Sequence, residues 1–416
     1  MGGSSHIFAI DEKNSRHYLY LFIVWPFLAF LVAIANYGQK EARKVVYFFL
    51  IYYGLTFVNN NEGVDAFRYI LMLQHNASLP FSDFFKVAGG LYSGTSVDIV
   101  EPLISFIISR FTAFHGIYFA VWAAIFGYFY TRSINLVHDR YQLNPGWNTM
   151  IPMVFFIFIL PITYISGVRM WTAAWIFFYG AYHVIMYRDK RFIILALSAS
   201  LVHWSFLSAN AILLLYFFAG NRNIIYLPLA AASFLAPRLL FPTFGVLSMG
   251  LGGAFQARYE GYSSEGYMMN QQIQQEGASW FMQMGFDLIF YYLLFAIIII
   301  QIISRSEEKD SMMKNLYSFL LLFLTFVNFG KPIPSFGGRF QIVFMIFATF
   351  YLFLYYVRIK TERITLLTVM GIFPMLLYVA ITLRLSLQSI SVWILAPGLG
   401  SPLLAPGLSF FDLLFN

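Results

Sequence analysis

The chain has 416 residues, of which 60% are hydrophobic, 20% aromatic and only 11% charged. A soluble globule carries about 25% charged residues to wet its surface. This composition therefore excludes a cytosolic enzyme, a soluble DNA-binding protein and a disordered scaffold, and it gives an all-α polytopic membrane protein. The net charge of +7 does not point to nucleic acid, because the basic residues sit in short clusters between apolar runs. The absence of cysteine excludes disulfides, thiolate metal sites and a cysteine nucleophile.

Apolar runs at residues 18–37, 45–58, 115–137, 150–165, 170–187, 192–201, 206–218, 224–240, 285–303, 316–328, 340–357 and 364–383 predict about twelve transmembrane helices. The pair 192–201 and 206–218 also reads as one long span broken at His203-Trp204. The linkers 38–44, 138–147, 188–191, 220–223, 305–314 and 358–363 hold 14 of the 26 Lys and Arg residues. That bias makes them cytoplasmic and puts both termini outside. The chain reads as a single integral membrane domain, 1–416, with segments 59–102 and 241–283 on the outer face. In a bacterial inner membrane that face is periplasmic. Residues 101–114 (EPLISFIISRFTAF) are too short and too charged for an ordinary span and predict an interfacial or re-entrant helix. The tail 391–416 is apolar, but its Pro and Gly argue against a spanning helix.

An ionisable side chain at membrane depth is costly and needs a reason. By this topology Arg169, Arg339, His203, Asp65, Arg68 and Glu101 all fall at the outer edge of the membrane. Arginine offers a planar fork of donors matched to phosphate oxygens and stays protonated when partly buried. Arg169 follows Gly167, and Arg339 follows Gly337-Gly338; glycine lets backbone amides approach an anion, and a helix N-terminus adds its positive end. His203, Glu101 and Asp65 are proton acceptors beside those cations. Each residue has a plainer account. An Arg at a helix end also snorkels to headgroups, a lone His in an apolar helix also serves structure, and Asp65 and Glu101 are placed to cap helices. No Asp-x-Asp, Walker A, H-E-x-x-H or G-x-S-x-G motif is present.

The order of short motifs is more specific than any one of them. Gly63, Asp65 and Tyr69 form G-x-D-x-x-x-Y, and Glu101-Pro102 opens a short helix. Gly167 and Arg169 form G-V-R, Ser200, His203, Trp204 and Ser205 form S-x-x-H-W-S, and Arg339 stands at a late span entrance. This pattern, over residues 45–360, resembles the EpsG family of Wzy-type polysaccharide polymerases. Two positions depart from it: Ala66 stands where the family often has an aromatic residue, and Met170 where it often has Gln.

The resemblance implies a glycosyltransferase-C-like fold that joins undecaprenyl-diphosphate-linked oligosaccharide repeat units at the periplasmic face. The growing chain passes from its lipid diphosphate to the incoming lipid-linked unit, without a sugar nucleotide, cofactor or metal. Arg169 and Arg339, with Arg68 third, are then expected at the diphosphate. His203, then Glu101, then Asp65 are expected as the base, and Tyr69 and Trp204 at the sugar. Membrane lipids and a chain-length-regulating co-polymerase are the expected partners, with no nucleic acid. An O-antigen ligase uses the same donor. A flippase of lipid-linked oligosaccharide is the non-enzymatic alternative; it predicts internal repeats and a charged path at mid-depth, neither of which the sequence displays.

Overall fold

The computed structural model describes residues 15–59, 65–88, 98–235, 260–261, 264, 280–303, 311–359, 364–400 and 407–415. Among them every apolar run falls on helix, and no β-strand occurs beyond one isolated bridge. The second outer segment, 241–283, lies almost wholly outside the described residues, as does Gly63. Among the described residues five helical stretches are long and apolar enough to cross a membrane: Trp147–Tyr187, Trp280–Ile303, Ser311–Gly330, Phe336–Ile359 and Leu366–Ser386. The other runs lie on helices that are shorter or more polar.

The first run is not one helix. It divides into α1 (Ser15–Val24) and α2 (Pro26–Ala35), with Trp25 extended between them. Pro26 supplies no N–H and its ring clashes with the preceding turn, so the helix restarts there. Next come α3 (Lys40–Leu55), α4 (Asp65–Ser78), α5 (Phe84–Ala88), α6 (Val100–Ser109) and α7 (His115–Tyr141). Then follow α8 (Trp147–Ile159), a 3₁₀ turn at Ile162–Gly167, α9 (Val168–Tyr187), α10 (Arg191–Val202), α11 (Phe206–Ala219) and α12 (Asn223–Leu235). The last group is α13 (Trp280–Ile303), α14 (Ser311–Gly330), α15 (Pro334–Ile359), α16 (Leu366–Ser386) and α17 (Phe410–Phe415).

Burial ranks these helices. In α14 and α15, 78% of the apolar window is buried in the bundle, against 39% in α13 and α16. On α16, Leu366, Val369, Met370, Phe373 and Leu376 form an exposed apolar stripe, while Thr368, Gly371, Met375, Tyr378 and Thr382 face inward. This is amphipathicity turned inside out, as a lipid solvent requires. The bundle tightens at small residues: a Cβ on Gly180 would lie 2.8 Å from the backbone N of Ala196, so α9 and α10 pack almost backbone to backbone.

Two features position the site. First, α10 and α11 fold back on each other. Asn210 Nδ2 donates to Ala196 O at 2.9 Å across 14 positions, a separation of about 21 Å along a straight helix. The break at His203-Trp204 is therefore a reversal, and residues 192–218 are not a single span. With 12 and 14 residues the two helices rise about 18 and 21 Å, short of the roughly 30 Å hydrocarbon core. Second, α4 and α6 pack on each other, and α4 also meets the 3₁₀ turn before α9. On α4, Ala66, Tyr69, Leu73 and Asn76 are buried at spacings of three and four. Asn76 Nδ2 donates to Ser105 Oγ of α6 at 3.0 Å. Arg110, just past α6, donates to the carbonyls of Asn76 and Leu79 and lies 4.4 Å from the Phe106 ring centroid. The charge in the 101–114 segment thus closes the C-terminus of α4.

The tail folds over the N-terminal break. Trp25 Nε1 donates to Leu395 O at 2.7 Å, and an antiparallel bridge joins Ser391 to Ser409.

Candidate functional site

Asp65 is the first residue of α4, and its carboxylate takes two arginines. Arg68, one turn on, donates to Oδ1, and Arg339 Nη2 lies 3.9 Å from Oδ2. Arg339 sits in the second turn of α15 rather than at its head. Gly337, two residues before it, serves packing: a Cβ there would lie 2.6 Å from Lys331 Cα across the tight α14–α15 turn. Asp65, Arg68 and Arg339, with Ser166, Gly167, Met170 and Trp171, line a cavity of about 290 Å³. Met170, at one of the departures from the family pattern, is thus part of its wall.

Arg169 approaches from the other side of the same turns. It is the second residue of α9, and it does not line the cavity; its neighbours Gly167, Met170 and Trp171 do. Its Nη1 pairs with Asp98, its Nε donates to Tyr69 Oη at 2.9 Å, and its guanidinium lies 5.3 Å from the Tyr69 ring centroid. Nη2 has no hydrogen-bond partner among the described residues. The two arginines therefore meet α4 one turn apart, Arg339 at Asp65 and Arg169 at Tyr69, about 6 Å along the helix axis.

Asp98 is the residue that sequence reasoning missed. It was one acid among five in the 59–102 segment. In the structure it is buried, pairs with Arg169 through Oδ2, and accepts the Trp204 N–H at Oδ1, 2.9 Å away. The adjacent Ile99 N–H donates to Leu201 O at 3.2 Å. One carboxylate thus ties the segment before α6 to the head of α9 and to the α10–α11 reversal. The available signal was scarcity: a low-charge chain that places an arginine at a span head needs a counter-ion for it.

Neither Asp65 nor Glu101 caps its helix. Glu101 is buried in the first turn of α6, and its Oε1 accepts from Tyr118 Oη at 2.8 Å. Burial pushes its carboxyl up to about 7, against the opposing effects of the Tyr118 hydrogen bond and the Arg169 charge. Tyr69 is also buried, which pushes its hydroxyl up to about 12 despite Arg169 beside it. The Tyr69 and Tyr118 rings lie 6.2 Å apart, so Glu101, Tyr118, Tyr69, Arg169 and Asp98 form one continuous chain of contacts.

His203 ends α10 and is buried. Its Nδ1 lies 2.9 Å from Ser205 Oγ and 3.3 Å from Ser205 N, which fixes the ring within the reversal. It joins the arginine network through its neighbour: the Trp204 backbone N–H bonds Asp98. Of the eight residues expected at the site, Asp65, Arg68 and Arg339 share the cavity. Arg169, Tyr69 and Glu101 share the adjoining network, and His203 and Trp204 reach it through Asp98.

Buried helices, exposed apolar stripes and arginines that converge on one short helix define a helical membrane protein with a charged cleft. Residues 44–393 match the EpsG family. The chain belongs to that family, whose members are Wzy-type polysaccharide polymerases. Membership makes it a glycosyltransferase-like membrane enzyme acting on lipid-linked oligosaccharides. No curated protein and no solved structure matches the chain.

Proposed function

We propose that this chain polymerises undecaprenyl-diphosphate-linked repeat units at the periplasmic face of the bacterial inner membrane. The observation that carries the reading is the meeting of Arg339 and Arg169 one turn apart on α4, with a cavity of about 290 Å³ between α4, α9 and α15. The clustering of Lys and Arg in the linkers assigned to the cytoplasm supports placing this cleft on the periplasmic side.

In this reading Arg339 and Arg68 take the near phosphate of the donor, and Arg169 Nη2 offers a second point of attachment. The bond between the anomeric carbon and the phosphate oxygen breaks, and its electron pair leaves on the undecaprenyl diphosphate. Negative charge grows there in the transition state, where fixed guanidinium groups stabilise it more than the ground state. The acceptor hydroxyl forms the new bond to the anomeric carbon and gives up its proton. His203 is assigned as the acceptor of that proton, with Glu101 next in rank. Asp65 ranks last because Arg68 and Arg339 already occupy its carboxylate. Tyr69 acts as a positioning residue for Arg169, and Trp204 lies towards the sugar.

The test uses the purified chain in lipid nanodiscs with its undecaprenyl-diphosphate-linked repeat unit. A ladder of lipid-linked polymers, with one undecaprenyl diphosphate released per linkage, supports the reading. Transfer only to a lipid A core replaces it with a ligase. Movement of the lipid-linked unit without bond formation replaces it with a transporter.

A further inference from the structure

A second cavity, of about 380 Å³, adjoins the arginine cavity and shares Ser166 with it. Its volume is within the range of about 300–1,000 Å³ typical of ligand sites. Four segments wall it, the first being the exit of α3 with Phe57, Val58 and Asn59. The 3₁₀ turn before α9 gives Thr163, Tyr164 and Ser166. The end of α16 and its exit give Thr382, Ser386 and Ser389. The tail gives Ser409, Phe411 and Asp412.

The chemistry of this lining differs from that of its neighbour. Among the described residues no Lys, Arg or His lines it, and the one carboxylate there, Asp412, is engaged by the N–H and hydroxyl of Ser409. The remaining polar lining is hydroxyl and amide groups, with Phe57, Tyr164 and Phe411 supplying aromatic faces. Among the described residues three buried polar atoms in the wall, Asn59 Nδ2, Tyr164 Oη and Thr382 Oγ1, meet no partner in full bonding geometry, although Tyr164 lies close enough to Thr382 and Tyr378 to feel both. Buried polar groups are rarely left unpaired, so these mark a place that an occupant completes. A neutral, polyhydroxylated molecule suits hydroxyl groups set among aromatic faces.

We propose that this second cavity is a saccharide subsite that holds the sugars next to the diphosphate, with the C-terminal tail as one wall. The proposal rests on the polymerase reading for the position of the diphosphate at Arg339; Ser166, common to both cavities, then sets the first sugar at the entrance to the second. The family match ends at residue 393, so Ser409, Phe411 and Asp412 lie outside it. This wall belongs to the particular chain rather than to the matched family segment, and it selects which repeat unit is accepted.

The full chain has no cysteine, so Gln388→Cys, at an exposed lining position, creates a single alkylation site. The probe is the neutral oligosaccharide released by mild acid from the producing cell's lipid-linked repeat unit. At about ten times its dissociation constant it slows maleimide alkylation about tenfold, and Phe411→Ala lessens that protection at equal concentration. Calorimetry with the unsubstituted chain gives the same reading without any variant. Unchanged alkylation together with no binding heat overturns the subsite. Geranylgeranyl diphosphate, followed by quenching of Trp171 fluorescence against a Trp171→Phe background, reports the arginine cavity separately. Saccharide binding without diphosphate binding keeps the subsite and removes the anion site of the polymerase reading. Diphosphate binding without saccharide binding does the reverse.

Discussion

Arg169 and Asp98 form an ion pair in which the arginine side chain is 24% exposed and the aspartate side chain only 2%. In the proposed reading the more exposed partner is the one offered to substrate, and the buried partner holds it in place. Breaking such a pair leaves an uncompensated charge, so Asp98→Asn lowers stability by about 3 kcal/mol. Asp98→Ala also removes the acceptor of the Trp204 N–H and costs about 1 kcal/mol more. Thermal unfolding in detergent, followed by tryptophan fluorescence, measures both.

Tyr69→Phe keeps the ring under the Arg169 guanidinium but removes the acceptor of its Nε hydrogen bond. Loss of that bond frees the fork to rotate and lowers turnover about tenfold. Arg169→Lys and Arg339→Lys retain charge but lose the planar pair of donors, and each lowers turnover about 10²-fold. Release of undecaprenyl diphosphate per unit time is the measurement. Unchanged turnover in Arg169→Lys would reduce Arg169 to a simple charge.

Glu101 gives the chain a pH signature. Its carboxyl rises from 4.5 to about 7 on burial, so the folded protein holds a proton that the unfolded chain releases between those values. Stability from this group is therefore full at low pH, falls as pH rises through the window from 4.5 to about 7, and is level above it. Glu101→Gln mimics the protonated form, keeps an acceptor for Tyr118, and removes the slope from the melting temperature plotted against pH. With His203 as the base, Glu101→Gln retains turnover, whereas His203→Ala loses about 10²- to 10⁴-fold. The opposite pattern would transfer the role of base to Glu101.

Asn210 secures the α10–α11 reversal through Ala196 O and Ser200 Oγ, both at 2.9 Å. Asn210→Leu removes both side-chain bonds across the reversal and costs about 2 kcal/mol. It also loosens the position of His203, so turnover falls without a change in the affinity for prenyl diphosphate. A binding curve beside a rate measurement separates the two effects.

Much of this molecule was legible in the residue pattern. Apolar runs gave the helices because a lipid solvent forces backbone hydrogen bonding inside each segment. Arg169, Arg339 and His203 stood out because charge and imidazole are rare in such runs. Pairing was not legible. Asp98 looks like any loop acid until folding sets it between Arg169 and Trp204, and nothing near it in sequence names its partners. The division at Trp25 and the reversal at His203 were hidden for a related reason. Hydropathy reports which residues avoid water, but direction is set by single events, a missing proline N–H at Pro26 and a side-chain bond from Asn210.

The clamp at Asp98 also dictates when the enzyme comes into being. Trp204 emerges from the ribosome 106 positions after Asp98, and Arg339, the partner of Asp65, emerges far later still. Early helices thus enter the translocon with their acidic anchors waiting, and the cleft closes only as one of the last segments is inserted. In the proposed reading a chain still short of α15 therefore holds no complete diphosphate site.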